Sequence, residues 1–189
     1  MTDHSVSESA DNWPLPATSP VLRLRRLREL GLQLAPSGTL DAFASRLATD
    51  ADAPYAMVNF IGDRQFFAGL HNPPDGSDLP RVARTMTLDQ GYCPSLMTRR
   101  KALVLTDVYA SPRFAGNPVV DQIGIRSYAG APLIDDQTGI AFGTICVVDI
   151  TPRPEHTGQA TLNLIKERRD ELLEFFRQHS PLPHQQHQP

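Results

Sequence analysis

Cysteine is scarce here: Cys93 and Cys146 are the only two in the chain. They are too few and too far apart in sequence for a disulfide framework, which excludes the stapled scaffolds of small secreted domains and fits a reducing cytoplasm. Long apolar runs are missing too. Eighteen apolar residues never follow one another, so no membrane-spanning helix is expected. The opening MTDHSVSESADNWPLPATSP has acid where a signal peptide needs base, and it has no apolar stretch. Arg25-Arg26 lacks the segment that a twin-arginine signal requires. A cytoplasmic protein without membrane contact is the expectation. Excess charge is absent as well: a net charge of −3 and a pI near 6.0 give no field to gather nucleic acid. There is no glycine-rich phosphate loop, dinucleotide fingerprint or nucleophile elbow. Of the six histidines, His4, His184 and His187 lie near the ends, His156 and His179 flank the last helix, and His71 stands alone in the body. No metal is expected.

What is present is an ordinary globular composition, 40% apolar over 189 residues, enough for one domain whose core needs no covalent staple. Residues 1–20, rich in Ser, Asp and Pro, and residues 180–189 read as disordered ends around a single folded unit at 21–179. That unit opens on a helix over 21–34, with Leu24, Leu27 and Leu34 on one face while Arg23, Arg25, Arg26 and Arg28 project elsewhere. A second helix is capped by Thr39 and carries Leu40, Phe43, Ala44 and Leu47 at helical spacing. Strands are expected at 55–61 and 64–70 around Gly62-Asp63, at 102–106, and at 128–134 and 140–149. The last two are nearly continuous apolar runs, as in strands buried on both faces. Between these lie a helix at 89–98, a loop at 107–117 and a helical turn at 118–123. A final helix over about 159–178 has a seam of Leu162, Ile165, Leu172 and Phe176. Helices at both ends of an antiparallel sheet make the fold class α+β.

The residues with chemistry have plain explanations. Cys93 falls near the start of the 89–98 helix, where the dipole favours a thiolate. Cys146 lies inside Thr144-Ile145-Cys146-Val147-Val148 and reads as a small hydrophobe. Packing is the simpler expectation for both, since buried cysteine is common. A reactive Cys93 is the alternative. The arginine run reads as a solvated face or one side of a dimer contact, because no stacking aromatics interleave with it. Gly130, Gly139 and Gly143 read as strand-end and hairpin glycines. Asp107, Asp121, Asp135, Asp136 and Asp149 stand where turns place aspartate, and no two of them suggest an acid–base pair. No catalytic set emerges.

Four segments in order resemble a GAF domain. They are Tyr55-Ala-Met-Val-Asn-Phe-Ile-Gly-Asp-Arg-Gln-Phe-Phe67, Gly91-Tyr-Cys93, Asp107-Val-Tyr-Ala-Ser-Pro-Arg-Phe-Ala-Gly-Asn-Pro118, and Arg126-Ser-Tyr-Ala-Gly-Ala-Pro-Leu133 with Gly143-Thr-Ile-Cys-Val-Val-Asp149. The resemblance implies a central antiparallel sheet of five to six strands. It places the N- and C-terminal helices on one face, and loops and short helices roofing a small-molecule pocket on the other. It also implies a sensory or regulatory module. The departures narrow the field. The Asn-Lys-Phe-Asp-Glu set of cyclic-nucleotide binders is not present in order. Cys93 is followed by Pro94 and not by the histidine of bilin attachment, and His71 is the lone candidate for haem. The free methionine-R-sulfoxide reductases of the family use more cysteines at other spacings.

The leading expectation is therefore a non-enzymatic sensory domain that binds a small molecule and signals to a separate protein. By position, the resemblance puts Phe67, Tyr92, Cys93, Asp107, Tyr109, Phe114, Arg126, Tyr128 and Thr144 around the ligand, aromatics to stack and Arg126 and Asp107 to hold polar ends. No particular cofactor is indicated. The alternatives are a thiol-based redox sensor or sulfoxide reductase-like enzyme using Cys93, and a scaffold that homodimerises through its terminal helices.

Overall fold

The computed structural model describes residues 19–180. The expected disordered ends fall outside these residues, except for 19, 20 and 180. Pro20 opens helix α1 (Pro20–Glu29), where its fixed φ and missing N–H suit the first turn. Helix α2 (Gly38–Asp50) follows, then strands β1 (Tyr55–Ile61), β2 (Gln65–His71) and the short β3 (Thr85–Met86). Helix α3 is Cys93–Arg99, β4 is Leu103–Leu105, and two short helices, α4 (Pro112–Ala115) and α5 (Pro118–Ile123), lead to β5 (Ser127–Ile134), β6 (Ala141–Asp149) and the long α6 (Gly158–His179). The strands form one antiparallel sheet in the order β3-β2-β1-β6-β5-β4. Every residue of β1 and β6 is buried, because both faces of the sheet are covered.

Alternation along the strands makes two cores. On one face Ala56, Val58, Phe60, Ala129, Ala131, Ile145 and Val147 pack under α1, α2 and α6. The Phe60, Phe142 and Phe176 rings meet there at 6.1–6.3 Å. On the other face Tyr55, Met57, Ile61, Phe67, Tyr128, Cys146 and Val148 pack under α3, α5 and the segment before α3. Leu27, Ile165, Leu172 and Phe176 are thus buried within the domain itself, whereas Leu34 is exposed.

Several boundaries differ from the sequence expectation, each for a local reason. Helix α1 stops at Glu29 because Gly31 adopts φ +72°, so Leu34 is left exposed. The cap of α2 is Ser37 and not Thr39: the Ser37 Oγ accepts the Leu40 N–H at 3.4 Å. The 89–98 helix starts only at Cys93, and the expected 107–117 loop contains a 3-10 turn at Val108–Ala110 and α4. Gly130 and Gly143 lie within strands, not at their ends. Arg23 does not project to solvent. It is 6% exposed and its Nε donates to the Ile61 carbonyl at 2.9 Å, tying α1 to the β1–β2 turn. Removing a buried charge-assisted bond of this kind costs about 2 kcal/mol. Arg23→Ala is therefore expected to lower stability by that amount in urea unfolding, whereas Arg25→Ala should be neutral.

The turn joining β5 to β6 is gripped from three directions. Arg26 of α1 reaches Asp135 at 3.0 Å and Gln137 at 3.3 Å, Arg177 of α6 reaches Asp136 at 2.5 Å, and Arg100, just beyond α3, donates to the Gly139 carbonyl at 2.8 Å.

Candidate functional site

The sheet face away from the long helices carries the only polar side chains buried at its centre among the described residues. Asn59 and Thr144 are cross-strand partners in β1 and β6, both wholly buried. Gln65, at the start of β2, completes a chain: its Oε1 accepts from Asn59 Nδ2 at 2.9 Å, and its Nε2 donates to the carbonyls of Thr87 and Gln90, both at 2.7 Å. From the side, Asn117 accepts the Gly91 N–H and donates to the Gly91 carbonyl, each at 2.9 Å. The loop leading into α3 is thereby clamped twice just before Cys93. Gly91 sits at φ +76°, a conformation that suits glycine. Tyr55 adds a third pin, its hydroxyl donating to the Pro80 carbonyl at 2.6 Å.

Under this roof lies a recess with Met57, Phe67, Tyr92 and Tyr128 in its walls and Cys93 and Cys146 among its lining. Its volume is about 30 Å³, room for a water-sized molecule. Ligand pockets typically hold roughly ten times more. The two cysteines, 53 residues apart in sequence, meet at 3.4 Å between sulfurs. Both are free and buried. Tyr128 Oη lies 3.3 Å from Cys93 Sγ, and the Met57 sulfur lies 3.7 Å from Cys146 Sγ. Gly130 makes the approach of Tyr128 possible, because a side chain there would collide with its hydroxyl.

The two thiols are electrostatically unlike. The hydrogen bond shared with Cys146 is the largest influence on Cys93. With Thr144, Tyr128 and Asn59 it outweighs burial and brings the Cys93 thiol down to about 7. Cys146 is pushed well up by the same bond and by burial. Burial raises Tyr128 well above the usual tyrosine range, so its hydroxyl stays protonated as a donor. Of the pair, Cys93 is the thiol biased toward ionisation, by its hydrogen-bonding neighbours.

Of the residues expected around a ligand, Phe67, Tyr92, Cys93 and Tyr128 line the recess. Thr144 is buried beside the Cys93 sulfur. Phe114 stands outside as a buttress, its carbonyl accepting from the Tyr92 hydroxyl at 2.8 Å and its ring edge-on to Tyr92 at 5.8 Å. Asp107, Tyr109 and Arg126 form a separate surface cluster. Arg126 pairs with Asp107 at 2.9 Å and lies 4.7 Å above the Tyr109 ring. The guanidinium and a backbone N–H hold the Asp107 carboxyl below the usual range. These three satisfy one another away from the recess. Sequence reasoning missed Asn59, Gln65 and Asn117, and it treated Cys146 as filler. Period-2 alternation, which puts 57, 59 and 61 on one face with 144, 146 and 148 opposite, was the signal that could have joined Cys146 to Asn59 and Thr144. Among the described residues no cluster of His, Cys, Asp and Glu is arranged to hold a metal ion, and no helix is long and apolar enough to cross a membrane.

One antiparallel sheet with long helices on one face and a roofed recess on the other defines an α+β domain. The chain belongs to the GAF domain family, whose model matches residues 36–172. A cyclic di-GMP phosphodiesterase of Pseudomonas aeruginosa is 29% identical over 127 residues, 65% of this chain and 20% of that protein. This chain thus spans only about a fifth of that relative. Among solved structures, the GAF domain of an Acinetobacter phosphoenolpyruvate-protein phosphotransferase matches with a TM-score of 0.56 at 14% identity, over 84% of this chain and 93% of that one. A free methionine-R-sulfoxide reductase from Neisseria meningitidis, solved with its substrate, gives 0.52 at 17% identity, over 82% and 88%. At such identities the likeness is one of fold.

Proposed function

We propose that this chain is a sensory GAF domain whose sensing element is the Cys93–Cys146 dithiol, and that it signals redox state by changing its contacts with a separate protein. The observation that carries this is the 3.4 Å sulfur–sulfur separation at the floor of the recess, with one thiol biased toward its reactive form. A disulfide needs about 2 Å between sulfurs, so a shift of a side chain closes the pair. In a reducing compartment such a bond is transient, as a sensor requires. The small volume of the recess supports thiol chemistry over a bulky ligand: a cyclic nucleotide or tetrapyrrole would have to displace the roof. The lining of the recess among the described residues, without carboxylate or histidine, supports a regulatory role over acid–base catalysis. The Pseudomonas relative supports a regulatory place for such a domain, because four-fifths of that protein lies beyond the match.

Equilibration of the full chain in glutathione redox buffers tests the reading. A reversible Cys93–Cys146 disulfide is expected in peptide maps, with altered hydrogen exchange at 87–99. A pair that stays reduced across the whole range of buffers, or a disulfide that leaves exchange there unchanged, removes the proposal.

A further inference from the structure

Two side-chain atoms beside the thiol pair lack partners in the resting structure. The Thr144 hydroxyl and the Asn59 carbonyl oxygen are buried without a hydrogen bond among the described residues, and both residues are close enough to the Cys93 sulfur to influence its ionisation. One N–H of the Asn59 amide is committed to Gln65, whose own NH₂ is committed to two carbonyls. An open acceptor and an open hydroxyl therefore stand in the neighbourhood of the Cys93 sulfur. Buried polar groups left open in this way mark a place for a polar visitor. The recess nearby, of about 30 Å³, has the two cysteines and Gln65 among a mainly apolar lining, so the visitor must be little larger than water.

We infer that the oxidant met by this pair is hydrogen peroxide or a hydroperoxide of similar size, with Cys93 as the attacking thiol and Cys146 as the resolving one. The inference rests on the dithiol reading above and adds the substrate class and the order of events. Thr144 donates to a peroxide oxygen and Asn59 accepts from its O–H, which holds the O–O bond against Cys93. The Cys93 thiolate forms a bond to the nearer oxygen, the O–O bond breaks, and the departing hydroxide takes up a proton from solvent, the counterpart of the one Cys93 released on ionising, and leaves as water. Cys93 is then a sulfenic acid. The Cys146 sulfur attacks it, the S–O bond breaks, and the hydroxide leaves with the Cys146 proton as a second water. The peroxide has gained two electrons and the dithiol has become a disulfide. Thr144 and Asn59 act here as positioning residues.

The test compares hydrogen peroxide with cumene hydroperoxide on the full chain, each rate normalised to that of free dithiothreitol, with disulfide formation read by intact mass. Hydrogen peroxide is expected to be faster by roughly tenfold or more, the scale on which a tight pocket discriminates by size. In Cys146→Ser, dimedone should label Cys93 after a pulse of peroxide. In Cys93→Ser, Cys146 should stay unlabelled. Thr144→Val should slow reaction with peroxide more than reaction with iodoacetamide, which separates positioning of the oxidant from activation of the thiol. Equal normalised rates for the two peroxides, or dimedone on Cys146 first, overturns the inference while leaving the disulfide of the redox-buffer experiment intact. A pair that fails in redox buffers as well takes the underlying reading with it.

Discussion

Cys146→Ala is expected to move the pH midpoint for alkylation of Cys93 from about 7 toward the ordinary thiol value of 9.0, and to slow that reaction at pH 7 by roughly fiftyfold, since two pKa units separate half-ionised from about one per cent ionised. The sign follows from which form reacts. The thiolate is the nucleophile, so the rate rises with pH through the midpoint of Cys93 and falls away below it. The Cys146 hydrogen bond is the largest of the influences that hold Cys93 down, and burial works against it. Removing the donor therefore leaves burial opposed only by Thr144, Tyr128 and Asn59. Cys146→Ser is the control, because a hydroxyl at the same place still donates and should keep the midpoint near that of the native chain. Midpoints are the quantity to compare, since an alanine also enlarges the recess and alters access without altering ionisation. A midpoint that stays at 7 in Cys146→Ala would show that the second sulfur is a neighbour and not a partner.

Gly69→Ala should destabilise the domain by about 3 kcal/mol, the upper part of the range for overpacking. That amounts to a fall of roughly 6–12 °C in melting temperature for a domain of this size. At Gly69, strand β2 passes directly over the first turn of α2, and an added methyl would run into the backbone carbonyl of Leu40. Neither partner is free to retreat. The Leu40 region is tied to the strand by Asp41, whose Oδ1 accepts the Leu70 N–H at 2.8 Å and whose carboxylate pairs with Arg84 at 2.8 Å. The strand is fixed in register by β1, where Val58 faces Gly69 and Asn59 faces Phe67, leaving Ala68 as an extra residue in a bulge. Gly76→Ala is the comparison: it stands in open space, and its cost comes only from φ +86°. Differential scanning calorimetry of both variants would measure the difference, and equal melting temperatures would contradict a rigid contact at Gly69.

The strands and the long last helix were legible because their signals are local and repeated. Apolar runs at 128–134 and 140–149 fall within a residue or two of β5 and β6, and the seam on α6 buries Ile165, Leu172 and Phe176 as its spacing requires. Segment order carried the family. The site was only half legible. Phe67, Tyr92, Cys93 and Tyr128 could be placed by position along the resemblance, but pairing Cys93 with Cys146 depends on how α3 lies across β6, a tertiary fact that no local pattern encodes. Arg126 and Asp107 looked like ligand-binding charges because a sequence shows that charges exist, not that they neutralise each other. Gln65 and Asn117 were invisible for a related reason: their work is to hold backbone groups more than twenty residues away. Arg23 was misread since helical periodicity assumes that arginine seeks solvent, while this one finds two carbonyls at the end of β1.

The grip on the β5–β6 turn gives the domain a short lever. Because Gln65 and Asn117 anchor the backbone immediately ahead of Cys93, closing the proposed disulfide would draw on its far side, on α3. That helix is only seven residues long and ends against Gly139 through Arg100. The same turn is held by Arg26 from the first helix and Arg177 from the last, so α1, α3 and α6 share one anchorage at the rim of the sheet, apart from the phenylalanine-rich layer beneath it.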